Sequence, residues 1–406
     1  TVDESWHEKV IKVSSVETLG RKRHEESVSL GIWKKIKEFL KNKENAALIF
    51  LLIIFFGAVV RAILIRTPLW RGAAGDGSSK SIEYFLRSYD EKNNQSAVER
   101  RYKKATFVEA FRRIFMTGLT LGAGGSGGLI GPLIPVGQSI GSGWSKVFKI
   151  ASVDDLRCFQ MAGIAAAACT LLNTPFAAAI FAAEIVYSQR IVYRTLLYSM
   201  ISVICAYVLN NHFGNFQTIF PATAHTVSYQ TREYLEVAAV AFFVSTPTGL
   251  GLKIIFKKLK NMFDKIPLVT RAPLGSLLTA AIGLGAFHFM HIDMSHVLGL
   301  GEHTIHDLIN QEGNPELKVW WVLFLIVILK CFATGFTLMA GGSAGVLVPS
   351  MIIGGVSGAG IFYLLSDLGV DFMVTKDINL FIVSGIAASL VAVVQVPISA
   401  ILIVTE

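Results

Sequence analysis

Charge is what this sequence has little of. Only 16% of its 406 residues are Asp, Glu, Lys or Arg, against roughly 25% in soluble globular domains, which excludes a water-soluble surface over most of the chain. Cysteine is scarce too. Cys158, Cys169, Cys205 and Cys331 lie in or near apolar stretches with no C-x-x-C spacing, so they read as packed thiols, neither disulfides nor metal ligands. The chain has no G-x-x-x-x-G-K-[ST] and no H-E-x-x-H, and no nucleophile–base pair emerges. It therefore reads as no enzyme and calls for no cofactor. The first 45 residues are too charged, and lack the early apolar run, for a signal peptide.

What is present is apolar and comes in blocks. The mean hydropathy is +0.54 and 52% of residues are hydrophobic. The first block, Ala46 to Ile65, has Arg61 as its only charge; others are Thr195–Leu209, Val237–Leu250, Leu274–Met290, Val319–Leu329 and Leu380–Val394. A helix needs about 20 apolar residues to cross the hydrocarbon core, and several blocks are shorter. Such blocks, interrupted by Gly and Pro, suit helices that tilt or stop part-way. The expected fold is an all-α, multi-pass integral membrane protein. Lys34, Lys35, Lys37, Lys41 and Lys43 precede the first block and place the N-terminus in the cytoplasm. Basic stretches at Arg87 to Lys104 and Lys253 to Arg271 agree in kind. Much of the net charge of +8 is thus topological, with no nucleic-acid partner implied. Ile32–Phe39 is amphipathic and suits either a surface-lying helix or a plain lead-in helix.

Compared with itself, the chain repeats. GGSGGLIGPLIPVGQSIG, from Gly124 to Gly141, aligns without gaps on GGSAGVLVPSMIIGGVSG, from Gly341 to Gly358. Met161–Glu184 then matches Val383–Glu406, with Gly163, Pro175 and Glu184 recurring as Gly385, Pro397 and Glu406. Two matches in the same order, prolines in register, indicate two homologous halves. The expected organisation is a cytoplasmic segment over 1–45, a first transmembrane half over 46–210 and a second over 211–406. Transporters built this way place the substrate at the repeat interface on discontinuous helices. The sequence alone leaves open whether the halves run parallel or inverted.

Gly128-Leu-Ile-Gly-Pro132 and Gly345-Val-Leu-Val-Pro349 share a design. Glycine permits a tight turn or a close approach, and proline a few residues later fits the first turn of a new helix. Such a start leaves backbone N–H groups and the positive end of a helix dipole pointing into the protein. In a bilayer those donors must be satisfied, and an anion satisfies them. The competing use of such stretches is close helix packing. Gly75-Asp76-Gly77-Ser78-Ser79 adds a flexible turn and a carboxylate, or else an ordinary polar loop. His291, Asp293, His296, Glu302, His303, His306 and Asp307 fit no standard ligand spacing, so no metal site is expected and the segment reads as a solvated loop.

These motifs resemble those of the CLC family of chloride channels and chloride/proton exchangers, over most of the chain after about residue 46. Gly128-Leu-Ile-Gly-Pro132 stands where the family has G-[KR]-E-G-P, and Gly345-Val-Leu-Val-Pro349 is similar to its G-x-F-x-P. Gly163 to Glu184, with Asn173-Thr-Pro175, resembles its G-A-A-A…N-x-P…E stretch, and Gly299-Leu-Gly301 sits at an expected glycine-rich extracellular turn. The resemblance implies an inverted-repeat fold with broken, re-entrant helices, and a homodimer with one pore per subunit. It also implies chloride or a similar anion held by backbone N–H groups of Leu129, Ile130 and Gly131 at an outer site, and of Val346 and Leu347 at a central one. Asp76, Gly77, Ser78, Gly128, Ile130, Pro132, Gly345 and Pro349 would line or gate the pore. The family's last helix, with its pore tyrosine, has no counterpart before Glu406.

The departures carry weight. The family's gating glutamate aligns with Ile130 and its inner proton-transfer glutamate with Ile185, so neither usual proton carrier is present. Passive chloride-like conduction is the expected function. The alternatives are a proton-coupled antiporter using another carboxylate, Asp76 or Glu184, and a membrane scaffold or sensor without transport. Asp76 aligns with the serine of the family's G-S-G-I-P, whose hydroxyl coordinates the central anion. Either the Asp76 carboxylate acts as an internal anion mimic and plug, or Ser78 or Ser79 serves in its place.

Overall fold

The computed structural model describes residues 43–86, 107–150, 152–187, 192–213, 231–290, 292–310, 315–369 and 377–406. The basic cluster before the first block, the Ile32–Phe39 segment and Arg87 to Lys104 fall outside these, apart from Lys43. The chain divides into two units, Thr1–Ile53 and Ile54–Glu406. In the first unit the described residues, 43–53, are helical.

The described residues form helices and no strands. They are α1 (Lys43–Arg66), α2 (Pro68–Arg71), α3 (Ser78–Leu86), α4 (Phe107–Gly122), α5 (Ile130–Val147), α6 (Val153–Leu172), α7 (Pro175–Tyr187), α8 (Tyr193–Phe213), α9 (Thr231–Phe263), α10 (Leu268–Met290), α11 (Met294–Val297), α12 (Glu302–Ile309), α13 (Trp320–Met339), α14 (Leu347–Asp367), α15 (Ile378–Val394) and α16 (Pro397–Thr405), with a 3-10 turn at Pro315–Lys318. Six, α6, α8, α9, α10, α13 and α14, contain stretches long and apolar enough to cross a membrane, while α7 and α15 are apolar but shorter. Leu197, Ile201, Ile204 and Val208 are exposed on α8. They recur at helical spacing, an apolar stripe matched to lipid rather than water.

The sequence repeat is a structural repeat. Asn173 ends α6 and Gln395 ends α15, each in a left-handed conformation, with φ of 56° and 66°, and the next helix begins two residues later at Pro175 or Pro397. A Cβ on Gly137 would run into the Gly163 carbonyl, and one on Gly141 into that of Phe159. In the second half Gly354 and Gly358 stand in the same relation to the carbonyls of Gly385 and Phe381. Helix α5 therefore crosses α6 as α14 crosses α15, backbone against backbone, which only small residues permit.

The segment carrying the histidines corrects one expectation. Apart from His291, which lies outside the described residues, it is no solvated loop. Met294–Val297 and Glu302–Ile309 are short helices with Val297 and Ile305 fully buried, and Ile305 reaches Gly355 of α14. His296 is buried and its Nδ1 bonds Thr304 Oγ1 at 3.0 Å. Its polar residues look solvated when read singly, but the apolar ones between them supply a packing face.

Candidate functional site

The turns joining α4 to α5 and α13 to α14 interlock. Ser126 N–H donates to Thr337 Oγ1 and Ser343 N–H to Thr120 Oγ1, both at 3.0 Å. Ser126 Oγ meets Thr334 Oγ1 at 3.1 Å, and Ser343 Oγ meets Thr117 Oγ1 at 2.8 Å. Between them Gly128 and Gly345 exchange backbone hydrogen bonds, 2.8 Å one way and 2.6 Å the other, as an antiparallel pair. Every one of these bonds swaps with its partner when residues are exchanged at one constant offset, that of Gly128 to Gly345. Reciprocal, antiparallel contacts of this kind require a local two-fold relation between the two halves.

This joint fixes two helix starts side by side. Helix α5 begins after Leu129 and α14 after Val346, and neither residue supplies a side-chain cap. First-turn N–H groups have no acceptor within their own helix, so both starts present donors and positive dipole ends. Gly128 and Gly345 are therefore the joint itself, their N–H and C=O groups spent on each other. Ile130 is buried and Pro132 and Pro349 follow inside the first turns.

Asp76 comes to this place from a distant part of the chain. Gly75 and Gly77 flank it with φ of 78° and 83°, values a side chain resists, and α3 starts at Ser78. The loop is pinned by Gly75 N–H to the Gly342 carbonyl at 3.0 Å. The carboxylate accepts from Ser78 Oγ–H and from Ser78 N–H at 3.3 Å, and lies within electrostatic reach of the Val346 backbone N–H. A Cβ on Gly131 would collide with Asp76 Oδ1. The carboxylate thus lies between the first turn of α5 and the N-cap of α14. Ser78 is occupied with Asp76, and Ser79 is exposed.

A residue the sequence reading passed over holds the loop. Arg113 of α4, buried, donates from Nη1 to the carbonyls of Ala73 at 3.0 Å and Gly75 at 2.8 Å, and from Nη2 to that of Gly72 at 3.0 Å. A Cβ on Gly77 would stand 2.7 Å from its Cζ. In the other half Lys330 of α13 takes the same part. Its Nζ donates to the carbonyls of Leu298 at 3.2 Å and Gly299 at 3.0 Å, in the turn Gly299-Leu300-Gly301 that precedes α12. Arg113 and Lys330 are related by the same offset as Gly128 and Gly345, so the repeat held the signal. At the place of Asp76 this second turn carries Leu300.

Glu184 and Glu406 also swap. The Glu184 carboxylate accepts from Ile398 N–H at 3.1 Å, Ser399 N–H at 2.8 Å and Ser399 Oγ–H at 2.6 Å, at the start of α16. Glu406 accepts from Phe176 and Ala177 N–H at 3.0 and 2.8 Å, at the start of α7. Each half caps a helix of the other. Ile185 lies half-buried on α7, next to Glu184. Among the described residues no group of His, Cys, Asp and Glu is arranged to hold a metal ion.

Comparison with known proteins agrees with this geometry. A family model described as voltage gated chloride channel matches residues 91–406. An uncharacterized protein of Methanocaldococcus jannaschii is 26% identical over 309 residues, 75% of this chain and 71% of that protein. A chloride/fluoride channel protein of Pseudomonas syringae pv. tomato is 27% identical over 248 residues, 60% of this chain but 51% of the relative. The crystal structure of a slow cyanobacterial Cl-/H+ antiporter superposes with a TM-score of 0.61 at 18% identity, covering 88% of this chain and 87% of that one. At that identity the likeness shows the fold.

Proposed function

Because the chain belongs to the voltage-gated chloride channel (CLC) family, we propose that it moves a small, chloride-like anion across a lipid bilayer, passively, and is not an enzyme. The observation that carries this reading is the pair of helix starts, neither capped by its own N-cap side chain, held together by Gly128 and Gly345. The anion is taken by the N–H groups of Leu129, Ile130 and Gly131 and of Val346 and Leu347. Amides and helix dipoles bind it without a fixed full charge, weakly enough to release it. Ile130 and Ile185 can carry no proton, which favours conduction over obligatory exchange. Asp76 acts as a tethered anion in the Val346 position, and the passing ion must displace it. As implied by the family, the protein works as a homodimer with one pathway per subunit. The basic cluster at Lys34 to Lys43 puts the N-terminus on the cytoplasmic side.

A second reading rests on the same carboxylate. If Asp76 takes up a proton as it yields its place, proton and anion movements are coupled, an exchange built on a different acid. Anion efflux from liposomes decides between them. Passive conduction gives chloride efflux under a potassium-valinomycin shunt, unaffected by a pH gradient; coupling gives uphill chloride movement driven by that gradient. Absence of flux from folded protein would refute both and leave a membrane scaffold.

A further inference from the structure

Among the described residues three buried cations, Arg61, Arg113 and Lys330, surround the interlocked turns, and two have acidic company. Arg113 has Asp76 and Glu109 within electrostatic reach, and Lys330 has Glu302. Arg61 of α1 has none. It is 3% exposed, its Nη2 donates to Ser276 Oγ of α10, and its Nε and Nη1 have no hydrogen-bond partner. Among the described residues no carboxylate pairs with it. A guanidinium stays protonated in any protein setting. Burying it without a counter-charge is among the costliest arrangements a fold can hold, and hydroxyls or water supply dipoles but no neutralising charge.

Its place is specific. A Cβ on Gly342 would stand 3.0 Å from Arg61 Nη1, so glycine at 342 lets the guanidinium lie against the turn backbone. The carbonyl of that residue receives Gly75 N–H, one residue before Asp76. On the far side of the turn, Ser343 Oγ receives Arg113 Nη1 at 3.4 Å. Two guanidiniums therefore bracket Gly342-Ser343, immediately before the start of α14, and Asp76 and Glu109 both belong to Arg113. The two-fold sharpens the point. Gly57 of α1 abuts Ala123, and Gly275 of α10 abuts Ala340, so α1 and α10 are repeat mates and Thr279 is the mate of Arg61. Thr279 satisfies its hydroxyl within the protein, on the Gly275 carbonyl at 2.8 Å. One half has a self-contained threonine where the other has an unneutralised cation.

We propose that Arg61 binds the transported anion, a halide or similar monovalent ion, through Nε–H and Nη1–H, as a second position behind the Gly341-Gly342 turn from the Asp76 site. This rests on the anion-transport reading and adds a residue to it. The anion supplies the counter-charge that the chain withholds, and Arg61 raises local anion concentration beside the helix starts.

The test uses purified full-length protein in bromide, which is seen by its anomalous scattering, together with chloride flux in liposomes. The expected result is bromide against Arg61 Nε and Nη1, lost in Arg61→Met while bromide at the helix starts persists. Half-saturating chloride for flux should rise about tenfold or more in Arg61→Met, the effect of losing hydrogen bonds to a charged group. Arg61→Lys, which keeps the charge and loses the fork, should fall between and serves alone if the methionine variant does not fold. Bromide at the helix starts but none at Arg61, or unchanged half-saturation in the folded variants, overturns the Arg61 site only. Bromide at neither place, with no flux, overturns the anion-transport reading itself.

Discussion

Neutralising Asp76 is the sharpest perturbation available. Its carboxylate holds two donors from Ser78 and lies beside the Val346 N–H that an incoming anion needs. Two unit charges about 4 Å apart repel by about 4 kcal/mol at an effective dielectric constant of about 20, and taking over a hydrogen bond to a charged group costs about 1.5–3 kcal/mol more. The nearby Arg113 offsets part of the repulsion, so a net penalty of about 3 kcal/mol is reasonable, roughly a hundredfold in anion affinity. Asp76→Asn keeps the shape and removes the charge; Asp76→Ser also vacates the Val346 N–H. Half-saturating chloride for efflux from liposomes should fall in Asn and further in Ser, with maximal flux higher in both. Any uphill chloride movement driven by a pH gradient in the wild type should vanish in both variants. Folded Asn and Ser proteins with wild-type half-saturation and wild-type flux would refute the tethered-anion account.

Other consequences are structural. Glu184→Ala strands one buried and one part-buried backbone donor and the buried Ser399 hydroxyl at the start of α16 and should cost about 2–4 kcal/mol in detergent unfolding, whereas Glu406→Ala, at an exposed carboxylate, should cost about 1 kcal/mol or less; equal losses would contradict the reading. Gly137→Ala and Gly354→Ala each drive a Cβ into a neighbouring carbonyl and should destabilise by similar amounts, about 1–3 kcal/mol or more, while Gly118→Ala, with open space around its Cα, should be neutral or better. Burial pushes His296 below its ordinary value of 6.5. The unfolded chain then binds the proton more readily, so stability is full above that pH and declines as pH falls below it. Wild-type melting temperature should drop more steeply on acidification than that of His296→Asn.

The two broken starts were legible because glycine and proline act locally. Gly128 to Pro132 and Gly345 to Pro349 announce a turn and a new helix within five residues, and α5 and α14 begin inside those windows. The repeat was legible as well, but its two-fold relation was not, because alignment carries no geometry; the reciprocal bond between Gly128 and Gly345 supplies it. Helices α6 and α14 were not among the uninterrupted apolar blocks. Asp154, Asp155 and Arg157 break the first, and seven residues of glycine and serine dilute the hydropathy of the second. Arg113 was passed over for another reason. Its partners lie about forty positions back, at Gly72, Ala73 and Gly75, and nothing near it in sequence says that a charge on an apolar helix braces a loop.

The two-fold also separates scaffold from function. Where both halves keep the same chemistry, as at Thr120 and Thr337, Ser126 and Ser343, Gly137 and Gly354, or the braces Arg113 and Lys330, the residue builds the joint, and each copy needs it equally. A strictly symmetric pathway, however, would treat the two faces of the membrane alike. Direction, gating and affinity must come from positions where the copies differ. Two such differences adjoin the helix starts: Asp76 against Leu300, and Arg61 against Thr279. Both put a full charge in the first half where the second has a neutral residue, one negative and one positive, at either end of the hydrogen bond from Gly75 N–H to the Gly342 carbonyl. Such a pair attracts an anion on one side and makes it compete on the other. An asymmetric response to chloride applied at the two faces should therefore weaken when Asp76 and Arg61 are neutralised together, and should survive Glu184→Gln, which lies outside this pair.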